Sequence, residues 1–284
     1  MVVGPSGLDT ARLQYEDVER IASRQNPIVK RCRRLHGGRA GGEVLLDGAH
    51  LLEEALGAGV PVEVAAFLDP AAAASPGTLA SRAAAAGARL LAVAPQVLAA
   101  MSPVRHPSGV VAIARVRPAT LDAALAGDPP LVAILHEVQD PGNVGAAIRA
   151  ADACGATGVI TTPGTADPFG WKALRGSMGS AFRVPVAAGA SIGEIESALA
   201  ARGVPLVASV PRGGTPLSDA DLTRAAAILV GGEGGGLPVD LAARSAARIT
   251  IPMRPPVESL NVAIAAAILL YEAARQRRGR KPGC

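Results

Sequence analysis

From residue 16 to about 117, short apolar runs alternate with amphipathic stretches. The runs at 44–46, 62–68, 89–93 and 110–116 read as strands, and helix-like segments begin near Ala49, Thr78 and Pro95. Such alternation predicts a compact α/β unit over 16–117, preceded by an extended or disordered segment over 1–15. The breaker cluster Gly127-Asp128-Pro129-Pro130 closes a predicted linker over 118–130. Beyond it the apolar run 131–135 reads as a buried strand, followed by a Pro-Gly turn, a helix over 143–154 and a strand over 157–161. That is a βαβ opening. Further strands are predicted at 184–187, 205–210, 227–230 and 247–251, with a helix over 192–201. A long terminal helix is expected over 260–277. Its stretch 263–270 is apolar nearly all round, so it belongs against the sheet or a partner subunit. Arg275 and the residues after it are expected to emerge into water, and 278–284 to form a basic tail. The second predicted domain therefore covers 131–277.

A chain of 284 residues suits two domains better than one. Hydrophobic residues make up 49 % of it but aromatics only 2 %, so the core must be built from Ala, Val, Leu and Ile. The formal charge of +4 is mild, and its clustering matters more. Lys30, Arg31, Arg33, Arg34 and Arg39 form one cluster, and Arg275, Arg277, Arg278, Arg280 and Lys281 another. Each is either a solvated surface or a contact for a polyanion. Cys32, Cys154 and Cys284 lack paired spacing, which argues against a disulfide framework and a zinc site, and no metal is expected. No apolar run is long enough to span a bilayer, and the N-terminus lacks a signal-peptide pattern. A soluble, cytoplasmic protein is the expectation.

Three segments of the second domain concentrate residues with chemistry. In Asp140-Pro141-Gly142-Asn143-Val144-Gly145, continuing to Arg149, a tight turn follows a buried strand, the place where open α/β sheets bind ligands. Asn143 is either a functional amide or a helix N-cap. In Val230-Gly231-Gly232-Glu233-Gly234-Gly235-Gly236, the glycines permit positive φ and close approach to a flat ligand. The sequence matches neither a phosphate loop nor a dinucleotide fingerprint, and a ligand-free surface turn is the alternative. In Ile251-Pro252-Met253, continuing to Ser259-Leu260-Asn261-Val262, Ser259 is a plausible helix cap, which leaves Asn261 unexplained.

In this order the three segments resemble the signature motifs of the SpoU/TrmH group of SPOUT RNA methyltransferases. The intervening Arg175-Gly176-Ser177-Met178-Gly179-Ser180 and Phe182-Arg183-Val184-Pro185-Val186 match the same pattern. Upstream, Asn26-Pro27-Ile28-Val29-Lys30 and Pro107-Ser108-Gly109-Val110 are similar to the ribosomal-protein-like substrate-binding domain that often precedes it. The resemblance implies a parallel α/β sheet with a deep trefoil knot, a homodimer joined through the C-terminal domain, and S-adenosyl-L-methionine as cofactor. It implies backbone around Gly231, Gly232, Ile251 and Leu260 as the cofactor site. Asn143, Arg149, Glu233, Ser259 and Asn261 would surround the reacting ribose. The expected reaction is methylation of a ribose 2′-hydroxyl in structured RNA, ribosomal RNA first and transfer RNA second, with Lys30, Arg31, Arg33 and Arg34 on the RNA. Because a guanidinium does not deprotonate in proteins, Arg149 is expected to stabilise charge or grip a phosphate. A non-catalytic RNA-binding or ribosome-assembly factor and a nicotinamide-dependent oxidoreductase are the competing readings.

Overall fold

The computed structural model describes residues 18–68 and 78–279, so the expected N-terminal segment 1–15 and positions 280–284 of the basic tail lie outside it. The chain separates into two compact units, one built mainly from Leu46–Arg115 with the residues up to Arg34, the other from Leu35–Leu45 and everything from Val116 onward.

In the first unit, strands β1 (Glu19–Ile21), β2 (Glu43–Asp47), β3 (Val62–Phe67), β4 (Arg89–Val93) and β5 (Val110–Arg115) form one sheet in the order β1-β4-β3-β5-β2. β2 straddles the division between the units. The pairings β1/β4 and β3/β4 are parallel, and β3/β5 is antiparallel. Helices α1 (Pro27–Arg34), α2 (Ala49–Gly57), α3 (Leu79–Ala85) and α4 (Pro95–Met101) complete the unit. As the composition requires, its core is aliphatic, with Val64, Ala65, Leu91, Val111 and Ile113 buried.

The second unit holds a seven-stranded parallel sheet of β6 (Leu131–His136), β7 (Gly158–Thr161), β8 (Val186–Ala188), β9 (Leu206–Ser209), β10 (Thr215–Pro216), β11 (Ala226–Gly231) and β12 (Ala247–Thr250). Its order is β10-β12-β9-β11-β6-β7-β8. The chain moves outward from β6 to β8, then crosses to β9 and places β11 on one side of it and β12 on the other. Strands buried on both faces read as continuous apolar runs, which is why β6 and β11 were legible. Around the sheet lie α5 (Leu121–Ala124), α6 (Pro141–Ala153), α7 (Trp171–Ser177), α8 (Ile192–Ala201), α9 (Val239–Arg244) and α10 (Val262–Arg278). A capping box of Ser191 and Glu194 starts α8 where the sequence places it.

Two expectations change here. Residues 118–130, expected as a linker, contain α5, capped by the Thr120 hydroxyl, and bury Ala124 and Leu125 in the core of the second unit. Arg277, expected in water, turns inward at the end of α10. Its guanidinium donates to the carbonyl oxygens of Leu222 at 3.0 Å, Pro129 at 2.9 Å, Pro130 at 3.1 Å and also Arg224. Five fixed N–H donors make arginine suited to that task. Beside it Gln276 accepts from the Leu222 N–H and donates to the Ala220 carbonyl. Arg275 does face solvent, paired with Glu272, whose pKa the Arg275 hydrogen bond lowers to about 2.

Candidate functional site

Ligands bind parallel sheets beyond the carboxyl ends of strands where the strand order reverses. In the second unit the order reverses between β6 and β11, and the strand ends next to that point belong to β11, β9 and β12. A cavity of about 630 Å³ is present there, within the range of small-molecule sites. Ser209 and Val210 line it from β9, Gly231 through Leu237 from the loop after β11, and Ile251, Met253 and Ser259 through Val262 from the segment between β12 and α10. All four residues expected around the cofactor, Gly231, Gly232, Ile251 and Leu260, are on its wall.

The glycines there meet the expected need for positive φ at Gly234 and Gly236 and a need for close backbone approach at Gly231 and Gly232. Gly231 and Gly232 do not have positive φ; that conformation falls to Gly234 and Gly236. A Cβ on Gly231 would run into the backbone of Gly236 and Leu237, and one on Gly232 into the backbone of Glu137. Both are small so that the loop can fold back on itself and lie against the end of β6, where the Gly232 N–H donates to the His136 carbonyl at 2.8 Å. The result is a cavity wall of bare backbone.

The amides of two helix starts and one carboxylate meet at this wall. Asp140 caps α6, its carboxylate accepting from the Asn143 N–H at 2.8 Å, so Asn143 is not the cap and its side chain is free for other partners. Asn261, rather than Ser259, caps α10: its Oδ1 accepts from the N–H groups of Ala263 at 2.9 Å and Ile264 at 3.2 Å. That fixes which end of the Asn261 amide points outward. Its Nδ2 donates to Asn143 Oδ1 at 3.0 Å, and Asn143 Nδ2 in turn donates to Glu233 Oε1 at 2.5 Å. The Gln139 N–H donates to the other Glu233 oxygen at 3.2 Å. The direction of the whole relay follows from the cap.

Desolvation raises the Glu233 pKa, but hydrogen bonds from Asn143, from its own backbone N–H and from that of Gln139 outweigh it, and the carboxyl sits below its ordinary value. A carboxylate stabilised in this way is a weak base. Ser259 is exposed on the cavity wall. Arg149 stands apart. It lies six residues beyond Asn143 on α6, about 9 Å along the axis and about 120° around it, is exposed, and is not on the cavity wall. Among the described residues no side chain forms a hydrogen bond or ion pair with it.

Of the expected RNA-binding residues, Lys30, Arg33 and Arg34 are exposed on α1, whereas Arg31 is engaged by Glu63 together with Arg115. Sequence reasoning missed the Asp140 cap. Pro141 in the first turn signals it, because proline favours the position after the cap.

Comparison with known proteins bears on this geometry. Residues 130–271 match the SpoU rRNA Methylase family, and residues 26–112 match the MRM3-like substrate binding domain. An uncharacterized tRNA/rRNA methyltransferase of Synechocystis is 37 % identical over 92 % of this chain and 95 % of its own length. The 23S rRNA (guanosine(2553)-2′-O)-methyltransferase RlmP of Bacillus subtilis is 31 % identical over 89 % and 98 %. Among solved structures, the SpoU methyltransferase AviRb of Streptomyces viridochromogenes in complex with AdoMet superposes with a TM-score of 0.82 at 30 % identity. The match covers 90 % of this chain and all of that one. An AdoMet-bound rRNA methyltransferase of Sinorhizobium meliloti gives 0.81 at 32 %, covering 91 % and 98 %. The chain belongs to the SpoU rRNA methylase family, RNA methyltransferases that use S-adenosylmethionine.

Proposed function

We propose that this protein methylates a ribose 2′-hydroxyl in structured RNA, with ribosomal RNA as the first substrate class and transfer RNA as the alternative. One observation carries the reading. Asn143, Glu233 and Asn261, distant in sequence, join in a single hydrogen-bonded relay at the wall of a cavity built from Gly231, Gly232, Ile251 and Leu260. The 2′-O-methylation named for the Bacillus subtilis relative and the rRNA named for the Sinorhizobium meliloti structure support the choice of group and substrate.

The cavity fits S-adenosylmethionine by its volume, its bare-backbone wall and its aliphatic surfaces at Leu237, Ile251, Leu260 and Val262. When bound, the cofactor supplies a methyl group on a sulfonium. The chain's own residues then have distinct tasks. Gly231, Gly232, Ile251 and Leu260 hold the cofactor. Glu233 anchors the Asn143 amide through its ionised carboxylate, and the hydroxyl proton passes to that carboxylate, to water or to an RNA phosphate oxygen. Ser259, exposed on the wall, is left to hydrogen-bond the ribose. Arg149, charged and outside the cavity, grips the RNA phosphate beside the target.

The protein acts as a homodimer through its second unit, where Ile264, Ile268 and Tyr271 stand exposed at intervals of four and three residues on α10. The trefoil knot belongs to the same reading, as does a cytoplasmic location. Lys30, Arg33 and Arg34 provide phosphate contacts on the first unit, with Arg31 contributing through its ion pair rather than directly. To test the reading, purified protein is incubated with methyl-labelled S-adenosylmethionine and separate ribosomal and transfer RNA fractions. Label is expected in ribosomal RNA and absent with Arg149→Ala. Cofactor binding without transfer to either RNA would favour the non-catalytic factor instead.

A further inference from the structure

Glu233 is the one residue on the cavity wall with an ionisable side chain. Its oxygens are held by neutral donors alone, the Asn143 amide and the Gln139 N–H. Among the described residues no arginine, lysine or histidine forms an ion pair with it. The nearby charge that does act on it is Asp140, also negative. Arg212 and Glu258, from the loops after β9 and β12, lie 3.9 Å apart and largely cancel one another. Arg149 and Arg254 are exposed and off the wall. The wall thus carries one uncompensated negative charge.

That charge matters because cofactor and product differ by one positive charge. S-adenosylmethionine carries a sulfonium, and S-adenosylhomocysteine, left after transfer, has a neutral thioether in its place. Adenosine, ammonium and carboxylate are common to both, so contacts to them largely cancel in the ratio of affinities. The attraction between an anionic wall and the sulfonium does not cancel. We propose that Glu233 is a charge filter that biases the cavity toward the sulfonium cofactor over its neutral product, promoting exchange after each turnover. This rests on the reading of the cavity as the cofactor site.

The filter is tested by calorimetric titration of the full-length protein with S-adenosylmethionine, S-adenosylhomocysteine and an analogue with a protonated amine in place of the sulfonium. For Glu233→Gln, preference for the two cationic ligands over the thioether should fall about four- to sixteenfold, the range for unit charges roughly 10 Å apart at an effective dielectric of about 20–40. Thioether affinity should hardly change. Glu233→Asp, which keeps the charge, should keep the preference, and added salt should narrow it in the wild type. Both ligands binding Glu233→Gln with an unaltered ratio would overturn the filter while leaving the cofactor site intact. No binding of either ligand to the wild type would overturn the site and the filter together.

Discussion

Asn261 performs two tasks with opposite ends of one amide, and a single substitution separates them. In Asn261→Asp the remaining carboxylate can still accept from the Ala263 and Ile264 N–H groups, and aspartate ranks with asparagine as an N-cap. The capping contribution itself should therefore hold to within about 0.5 kcal/mol, helped by an anion at a helix N-terminus. What disappears is the donor to Asn143. The Asn143 amide must then turn over to donate to Asp, presenting its oxygen to Glu233 and breaking the 2.5 Å bond. The two carboxylates, at most about 8 Å apart across that amide, add a repulsion of about 1–2 kcal/mol at an effective dielectric of 20–40. Asn261→Ala should behave differently, losing the cap at about 1 kcal/mol as well as the relay. Thermal denaturation and single-turnover methyl transfer, measured on both variants, check this. Asn261→Asp should keep its cap, lose no more than the about 1–2 kcal/mol of that repulsion and transfer at least about tenfold more slowly, with Glu233 titrating at higher pH because the Asn143 donor is gone and a second carboxylate faces it. Wild-type transfer by a stably folded Asn261→Asp would refute the relay.

Three further outcomes follow from the same geometry. Arg149→Lys should bind cofactor normally but lose transfer by about a hundredfold or more, since an ammonium cannot reproduce the guanidinium fork; steady-state kinetics beside titration would show it. Arg277→Ala should cost about 2–3 kcal/mol by stranding the carbonyls of Leu222, Arg224, Pro129 and Pro130, with Arg277→Lys recovering only part of it in urea denaturation. Unchanged stability in both would mean that solvent replaces the clamp. The proposed dimer should give way to a monomer in Ile268→Asp, on the exposed stripe of α10, in analytical ultracentrifugation, without a change in the fold of the isolated chain.

The strands β6 and β11 were legible because their apolar runs end abruptly at Pro-Gly and glycine-dense breaks. Helix α8 was legible as a helical stretch over 192–201, though its capping box went unread, and α10 was legible through its unbroken apolar stretch. By contrast α7 offers seven residues, a glycine cap without a side chain and only Ala173, Leu174 and Ser177 buried, too little for a periodic face. β10, two residues at a sheet edge, has no pattern to read. The three chemical segments announced themselves by rare residue types; the second and third line the cavity, and the first reaches its wall through the Asn143 amide. Their partnerships did not show, because the bonds from Asn261 to Asn143 and from Asn143 to Glu233 span 118 and 90 positions. Arg149 was grouped with Asn143 through the family resemblance, and six helical positions carry it to another side of α6. Arg277 was misread for a related reason: a basic run at a helix end looks like a solvated surface until the carbonyls that receive it are known.

The central claim concerns the atom that receives the methyl group, and alkali distinguishes it most directly. A methylated 2′-oxygen cannot attack the neighbouring phosphodiester, so RNA labelled by this protein and then hydrolysed in base should yield its label in alkali-stable dinucleotides. Label recovered in mononucleotides would place the methyl on a base, contradicting ribose methylation.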